Sequence, residues 1–140
     1  MRKLLLILVW IPIFARGQEQ VKKDGFESVI KLEQIISGHL TALNGKYKLR
    51  ATQTTYLPGG FIGEHHHVGP GIRYVVSGQL TYIQSDTTRI FNSGDYFYES
   101  GDISHTAYNR TKEPVVILNF ELLPAEWKGS SPIPVHKKHD

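Results

Sequence analysis

The stretch "GGFIGEHHHVGPGIRYVVSG", residues 59–78, decides the fold, because three consecutive histidines sit among glycines and lead into a β-branched run. Gly59, Gly60 and Gly63 before the triplet, and Gly69-Pro70-Gly71 after it, argue against a helix. In an extended chain, side chains two residues apart share a face, so His65 and His67 point one way while His66 points the other way with Glu64. On a helix the same spacing would not bring two rings together. Two imidazoles on one strand can hold adjacent positions around a metal ion, and a third ligand must then come from elsewhere in the chain.

Working outward, residues 47–57 ("YKLRATQTTYL") alternate, with Tyr47, Leu49, Ala51, Gln53, Thr55 and Leu57 on one face. Residues 72–77 and 80–84 flank a Ser77-Gly78-Gln79 turn, residues 88–91 and 96–99 are separated by "NSGD", and residues 115–123 form a β-branched final run. Many short strands between Gly, Asn, Asp and Ser turns predict an antiparallel sandwich or barrel. Residues 26–36 fit either a helical or an alternating stripe. The tail "KGSSPIPVHKKHD" carries three breakers and is expected to be irregular and solvated.

The first twenty residues, "MRKLLLILVWIPIFARGQEQ", have a basic start, a short apolar run and Ala15-Arg16-Gly17, which reads as a secretory signal peptide over residues 1–17. The expected product is exported, periplasmic or secreted, with no membrane association once the leader is cleaved. The whole chain has 16 Lys and Arg against 13 Asp and Glu, but Arg2, Lys3 and Arg16 fall in the leader, leaving thirteen of each sign. No basic stripe remains to attract nucleic acid. With no cysteine, thiol nucleophiles, zinc ribbons and redox pairs are excluded, and any metal must be held by nitrogen and oxygen.

Downstream runs "GDYFYESGDISHTAYN", residues 94–109, and with it the chain resembles the paired motifs of the cupin superfamily. The first motif matches at Gly59, His65, His67 and Gly78, with Gly71 at its glutamate position. The second matches at Gly94, the Ser100-Gly101-Asp102 turn, His105 and Asn109. The likeness is to small single-domain bacterial cupins, whose "HxHPGP" and "YVLEGEL" read here "HHHVGP" and "YVVSGQL". It implies a single-domain, all-β antiparallel jelly-roll barrel over residues 46–123, preceded by residues 18–45 with an extra strand over 29–36 and followed by the tail at 124–140. It also implies one divalent metal ion (Fe, Mn, Ni, Cu or Zn) held by His65, His67 and His105. Gly59, Gly78 and Gly94 would serve turns, and the partners implied are a small-molecule ligand or substrate and a second copy in a homodimer.

The chain departs from that pattern at Gly71, where the usual glutamate ligand is replaced by a residue without a side chain. Three imidazoles with nothing opposite are expected to bind metal more weakly and to leave positions open for water or substrate. Arg73 should share the inward face with Gly71 and Val75, where it would snorkel to the barrel rim, pair with an internal acid or bind an anionic substrate group such as a carboxylate. Arg73, Gln53 and Tyr98 are the candidate substrate contacts. Tyr98, Glu99 and Asp102 lie near the second motif without a direction fixed by sequence, so no general base is assigned. Metal is expected to leave as acid protonates the ligands, near or below pH ~6.5. Asn109-Arg110-Thr111 is a glycosylation sequon. The readings left open are a metal-dependent oxidoreductase of dioxygenase type, an isomerase, a non-catalytic barrel that binds a small molecule, and a structural barrel that dimerises through a sheet edge.

Overall fold

The computed structural model describes residues 20–135, and among them every regular element is a strand. The strands are β1 (Lys23–Ile35), β2 (Tyr47–His67), β3 (Gly71–Ser77), β4 (Gln79–Gln84), β5 (Thr87–Asn92), β6 (Tyr96–Glu99), β7 (His105–Tyr108), β8 (Val115–Pro124) and β9 (Pro132–Pro134). The leader expected at residues 1–17, His136 and His139 lie outside the described residues. Strands run in the order β5-β4-β7-β2-β8-β3-β6, with β1 and β9 also paired to β2. All pairings are antiparallel, which gives the all-β, nearly closed jelly-roll barrel that the two motifs imply. The N-terminal segment left open between helix and strand is β1, which begins six residues ahead of the stretch that the resemblance favoured.

The 21-residue strand β2 serves both halves of the barrel. Residues 47–56 pair with β8, and residues 61–65 pair with β7. Between them Pro58-Gly59-Gly60 bends the strand, with Gly59 at φ 76°. A Cβ on Gly60 would fall 2.3 Å from the Gly25 carbonyl of β1, so the close pass of the two strands requires glycine there. Gly78 and Gly94 have φ of 79° and 95° in the turns that follow β3 and precede β6.

The faces of β2 are the reverse of what its apolar spacing suggests. Lys48, Arg50, Thr52, Thr54 and Tyr56 are buried, whereas Leu49 and Leu57 are about half exposed. The cause lies in the interior, which at this level is a polar cavity and takes the polar alternate set. Gln53, expected to point inward, therefore sits on the outer face opposite Val29 and Leu118. Apolar packing is confined to another part of the interior, where Tyr56, Ile62, Val75, Leu80, Ala107, Val115 and Ile117 form the core.

The tail also differs from its expectation. Arg50 donates through Nη1 to the Gly129 carbonyl at 2.8 Å, and Lys48 donates to the Trp127 carbonyl. Both cations also meet Glu33 of β1, at 2.7 and 2.8 Å. Ser131 is buried, and β9 pairs with His65–His67 of β2. Two buried cations that need acceptors draw irregular backbone over the barrel mouth, a cause that local composition does not display.

Asn109 has 1% of its surface exposed. Its Nδ2 donates to the carbonyls of Tyr56, Leu57 and Glu113, and its Oδ1 accepts from the Thr111 N–H and hydroxyl. The amide of the sequon is thus the clasp that ties the loop after β7 to the bend in β2.

Candidate metal centre

His65 and His105 are direct Cα partners across the β2–β7 ladder, and His67 follows His65 on the same face of β2. One ring nitrogen from each lies within 4.8 Å of the others. Ring centroids are separated by 4.3 Å for His65–His105, 5.0 Å for His65–His67 and 5.3 Å for His67–His105. The structure therefore brings together the three histidines that strand alternation and the motif spacing single out. Neighbouring His66 is half-buried on the opposite face, across from Ile133. Tyr82 stacks on the His105 ring at 4.6 Å and fixes its plane.

Each ring has a partner for its Nδ1 proton. His65 Nδ1 lies 2.7 Å from the Gly63 carbonyl and His105 Nδ1 lies 3.2 Å from the Ile103 carbonyl. His67 Nδ1 is surrounded by Glu121 Oε1 at 3.1 Å, Ser131 Oγ at 3.2 Å and Arg73 Nη2 at 3.3 Å. An arginine can only donate and a carboxylate can only accept, so these two contacts require opposite tautomers. The Glu121 contact prevails, because Arg73 Nη2 already donates to Glu121 Oε1 at 3.0 Å and has the Glu99 carboxylate as a charge partner, with Oε2 at 2.6 Å. A carboxylate that holds the far nitrogen of a ring leaves Nε2 free to bind a cation.

Gly71 does not leave the side opposite the histidines empty. Its Cα partners are Glu99 in β6 and Glu121 in β8, and both carboxylates are buried. Glu99 Oε1 lies 3.1 Å from His105 Nε2, and Glu99 Oε2 lies 3.2 Å from His67 Nε2. The expectation of three imidazoles facing nothing is corrected on this point. Arg73 lies inward beside Gly71 as expected, and the structure pairs it with the two internal acids. Tyr98 is 67% exposed on the outer face opposite Ile72, so it does not reach the cavity; its neighbour Phe97 does.

Burial dominates the electrostatics. It lowers the His65 pKa to about 3, helped by neighbouring His105 and His67. Burial also lowers His67, against the opposing pull of Glu121. For Glu99, burial pushes the carboxyl upward, but Arg73 and a hydrogen bond from His105 outweigh it and hold the group well below the usual carboxylate range. Glu121 follows the same pattern, with His67 and Arg73 overcoming burial. The surroundings of the rings thus hold two carboxylates and the Arg73 guanidinium, and burial favours the neutral forms of His65 and His67. Next to the rings the two carboxylates outnumber the one guanidinium that meets them both, while Lys23, Arg50 and Lys128 line the rest of the cavity; carboxylate oxygens beside three ring nitrogens are a donor set that fits a divalent cation. Glu99 Oε2 adds to the fit, since it is buried without an aligned hydrogen-bond donor even though Arg73 is near.

These shifts set an acid limit on the metal-free fold. Between pH 6.5 and about 3 an unfolded chain protonates His65 while the folded one does not, so stability falls as pH falls. Below about pH 4.5 the lowered Glu99 and Glu121 act in the same direction. Urea midpoints of the metal-free protein should decline steadily from pH 7.5 to pH 4, and a flat profile would contradict the buried, neutral rings. Burial also extends the range over which His65 can bind metal well below the free-imidazole value.

The cavity has a volume of about 330 Å³. Besides the histidines it is lined by Ser28, Thr52, Thr54 and Asn119. Asn119 Nδ2 donates to the hydroxyls of Thr52 and Thr54 at 3.0 and 2.8 Å, which arranges a polar wall. Of the two acids beside the histidines, Glu121 is absent from the motif reading, and Glu99 is named there without a direction. A signal existed for both: alternation places Glu99 with inward Phe97, and places Glu121 with Val115, Ile117, Asn119 and Leu123 on one face of β8.

Residues 52–121 match the family model described as "Cupin domain". No curated protein matches the sequence. Among solved structures, a cupin domain from Bordetella pertussis Tohama I is 17% identical, with a TM-score of 0.53 over 72% of this chain and 96% of the other. A Cupin 2 conserved barrel domain protein from Salinispora arenicola is 19% identical, with a TM-score of 0.53 over 84% and 90%. The polyketide cyclase RemF from Streptomyces resistomycificus is 12% identical, with a TM-score of 0.60 over 92% and 89%. At these identities the three structures share the fold alone with this chain.

Proposed function

The chain belongs to the cupin domain family, and on that premise we propose that it holds one divalent metal ion through His65, His67 and His105 and acts as a metal-dependent oxidoreductase on a small oxygenated organic molecule. The single observation that carries this reading is the convergence of those three ring nitrogens within 4.8 Å of one another, with the buried carboxylates of Glu99 and Glu121 beside them. An ion of the iron, manganese, nickel, copper or zinc type would contribute Lewis acidity and coordination of oxygen donors there.

The chain's own residues do the rest. Gly63, Ile103 and Glu121 hold protons on the far side of the rings, so that Nε2 lone pairs face inward. Tyr82 keeps the His105 ring from turning. Arg73 keeps two buried acids charged, and the hydroxyls of Thr52 and Thr54 offer hydrogen bonds to a hydroxylated ligand. Burial of these groups in the barrel strengthens each of these contacts.

Elemental analysis of protein purified after growth with these metals should find about one equivalent per chain, and uptake of dioxygen should follow addition of a phenolic, thiol or dicarbonyl compound. Metal far below stoichiometry would overturn the metal site. Full metal occupancy with no turnover on any of these substrates would overturn the oxidoreductase and leave a barrel that binds a ligand without converting it.

A further inference from the structure

We infer that Glu99 is the fourth metal ligand, a carboxylate delivered from β6 in place of the side chain that Gly71 lacks. The inference rests on the metal reading above and concerns a residue outside the three histidines. Position 71 is closed to any side chain. A Cβ there would stand 2.3 Å from Arg73 Nη1, 2.7 Å from the Phe120 carbonyl and 3.0 Å from Glu121 Cγ. The two residues paired with Gly71 across its ladders are both glutamates, so a carboxylate can enter the same level of the barrel from either neighbouring strand.

The two acids are not equivalent. Glu121 is occupied on the far side of His67, where it accepts from Ser131 Oγ at 2.6 Å and faces Nδ1. Glu99 stands on the inner side, with its oxygens 3.1 and 3.2 Å from the Nε2 atoms of His105 and His67. Two donors that each bind one ion at ~2.1 Å, with an angle between 90° and 110°, lie ~3.0–3.4 Å apart. The observed separations are those of neighbouring ligands. They are also untenable for carboxylate oxygens against bare ring lone pairs, so a proton or a cation must lie between them. The Ile103 carbonyl can take the His105 proton on Nδ1 when Nε2 is needed for an ion. The buried Glu99 Oε2, lacking an aligned donor, is the atom with a lone pair to give.

Arg73 is then the residue that keeps this ligand ionised, and Glu121 is a positioning residue that acts through His67. The assignment is tested with Mn2+ as the probe, by calorimetric titration and by the water-proton relaxivity of the bound ion, on the full chain and on Glu99→Gln, Glu99→Asp, Glu121→Gln and His65→Ala. Glu99→Gln should lower Mn2+ affinity by about 100-fold. It should also raise relaxivity per bound ion, because water fills the vacated position. Glu99→Asp, which keeps the charge opposite Arg73 but shortens the reach, should weaken binding and raise relaxivity in the same sense, and it serves if the glutamine variant does not fold. Glu121→Gln should leave relaxivity unchanged. A wild-type chain that binds Mn2+ and loses it in His65→Ala, but whose Glu99 variants match it in affinity and relaxivity, would overturn the Glu99 assignment and leave the histidine site standing. A wild-type chain that binds neither Mn2+ nor Zn2+ would overturn both.

Discussion

His105→Ala should cost the protein its metal, lowering affinity by more than about 100-fold, the size of loss associated with removing the groups that merely support ligands. His66→Ala, one position from two of the ligands, should change affinity by less than about twofold. The contrast follows from geometry. His105 lies directly across the ladder from His65 and is held flat by Tyr82, so nothing nearby can replace its nitrogen. His66 points through the other face of β2 toward Ile133 and lines a separate hollow with Trp127. Titration of each metal-free variant with Zn2+ against a competing chelator reads both numbers. Equal losses at His66 and His105 would mean that the strand runs one residue out of register.

Arg73→Met should be the most damaging single change to the metal-free fold. It removes the one Lys or Arg that meets both Glu99 and Glu121 among the described residues, and those side chains are 7% and 3% exposed. Breaking a buried pair by deleting one partner costs about 3–5 kcal/mol, because the remaining charge has no solvent to return to. For a chain of this size that corresponds to a fall in Tm of roughly 10–15 °C. A divalent ion would then be the sole counter-charge for two acids, so saturating metal should raise the variant's Tm more than it raises the wild type's. Differential scanning calorimetry with and without Zn2+ measures both effects. An unchanged Tm in the metal-free variant would show that the acids take up protons and need no partner.

Sequence carried the metal-binding half of the site because that information is local. Alternation over two residues orients His65 and His67, and the spacing of the second motif brings in His105. The other half depends on register between strands distant in the chain. No property of residues 94–100 alone states that Glu99 lies across from Gly71, and none of residues 115–124 states that Glu121 flanks Gly71 on the other side. Gln53 is misplaced for a related reason. It shares a face with Leu49 and Leu57, which an apolar rule puts inside, and at this level the barrel interior is polar with Leu49 and Leu57 on the outer surface; Tyr98, whose direction the sequence leaves open, is exposed there too. The ordered tail had no local signal either, since its position is set by Lys48 and Arg50 reaching for the carbonyls of Trp127 and Gly129.

The clasp at Asn109 bears on how the protein is best produced. An oligosaccharide would be joined to the same nitrogen that ties the loop to three carbonyls, and in the finished barrel that nitrogen is out of any enzyme's reach. Sugar could be attached only to a chain that has not yet closed, and a chain so marked could no longer fasten. Secretion from yeast or animal cells would therefore set modification in a race against folding, whereas a host that leaves the sequon bare, or a Thr111→Val chain, would escape it.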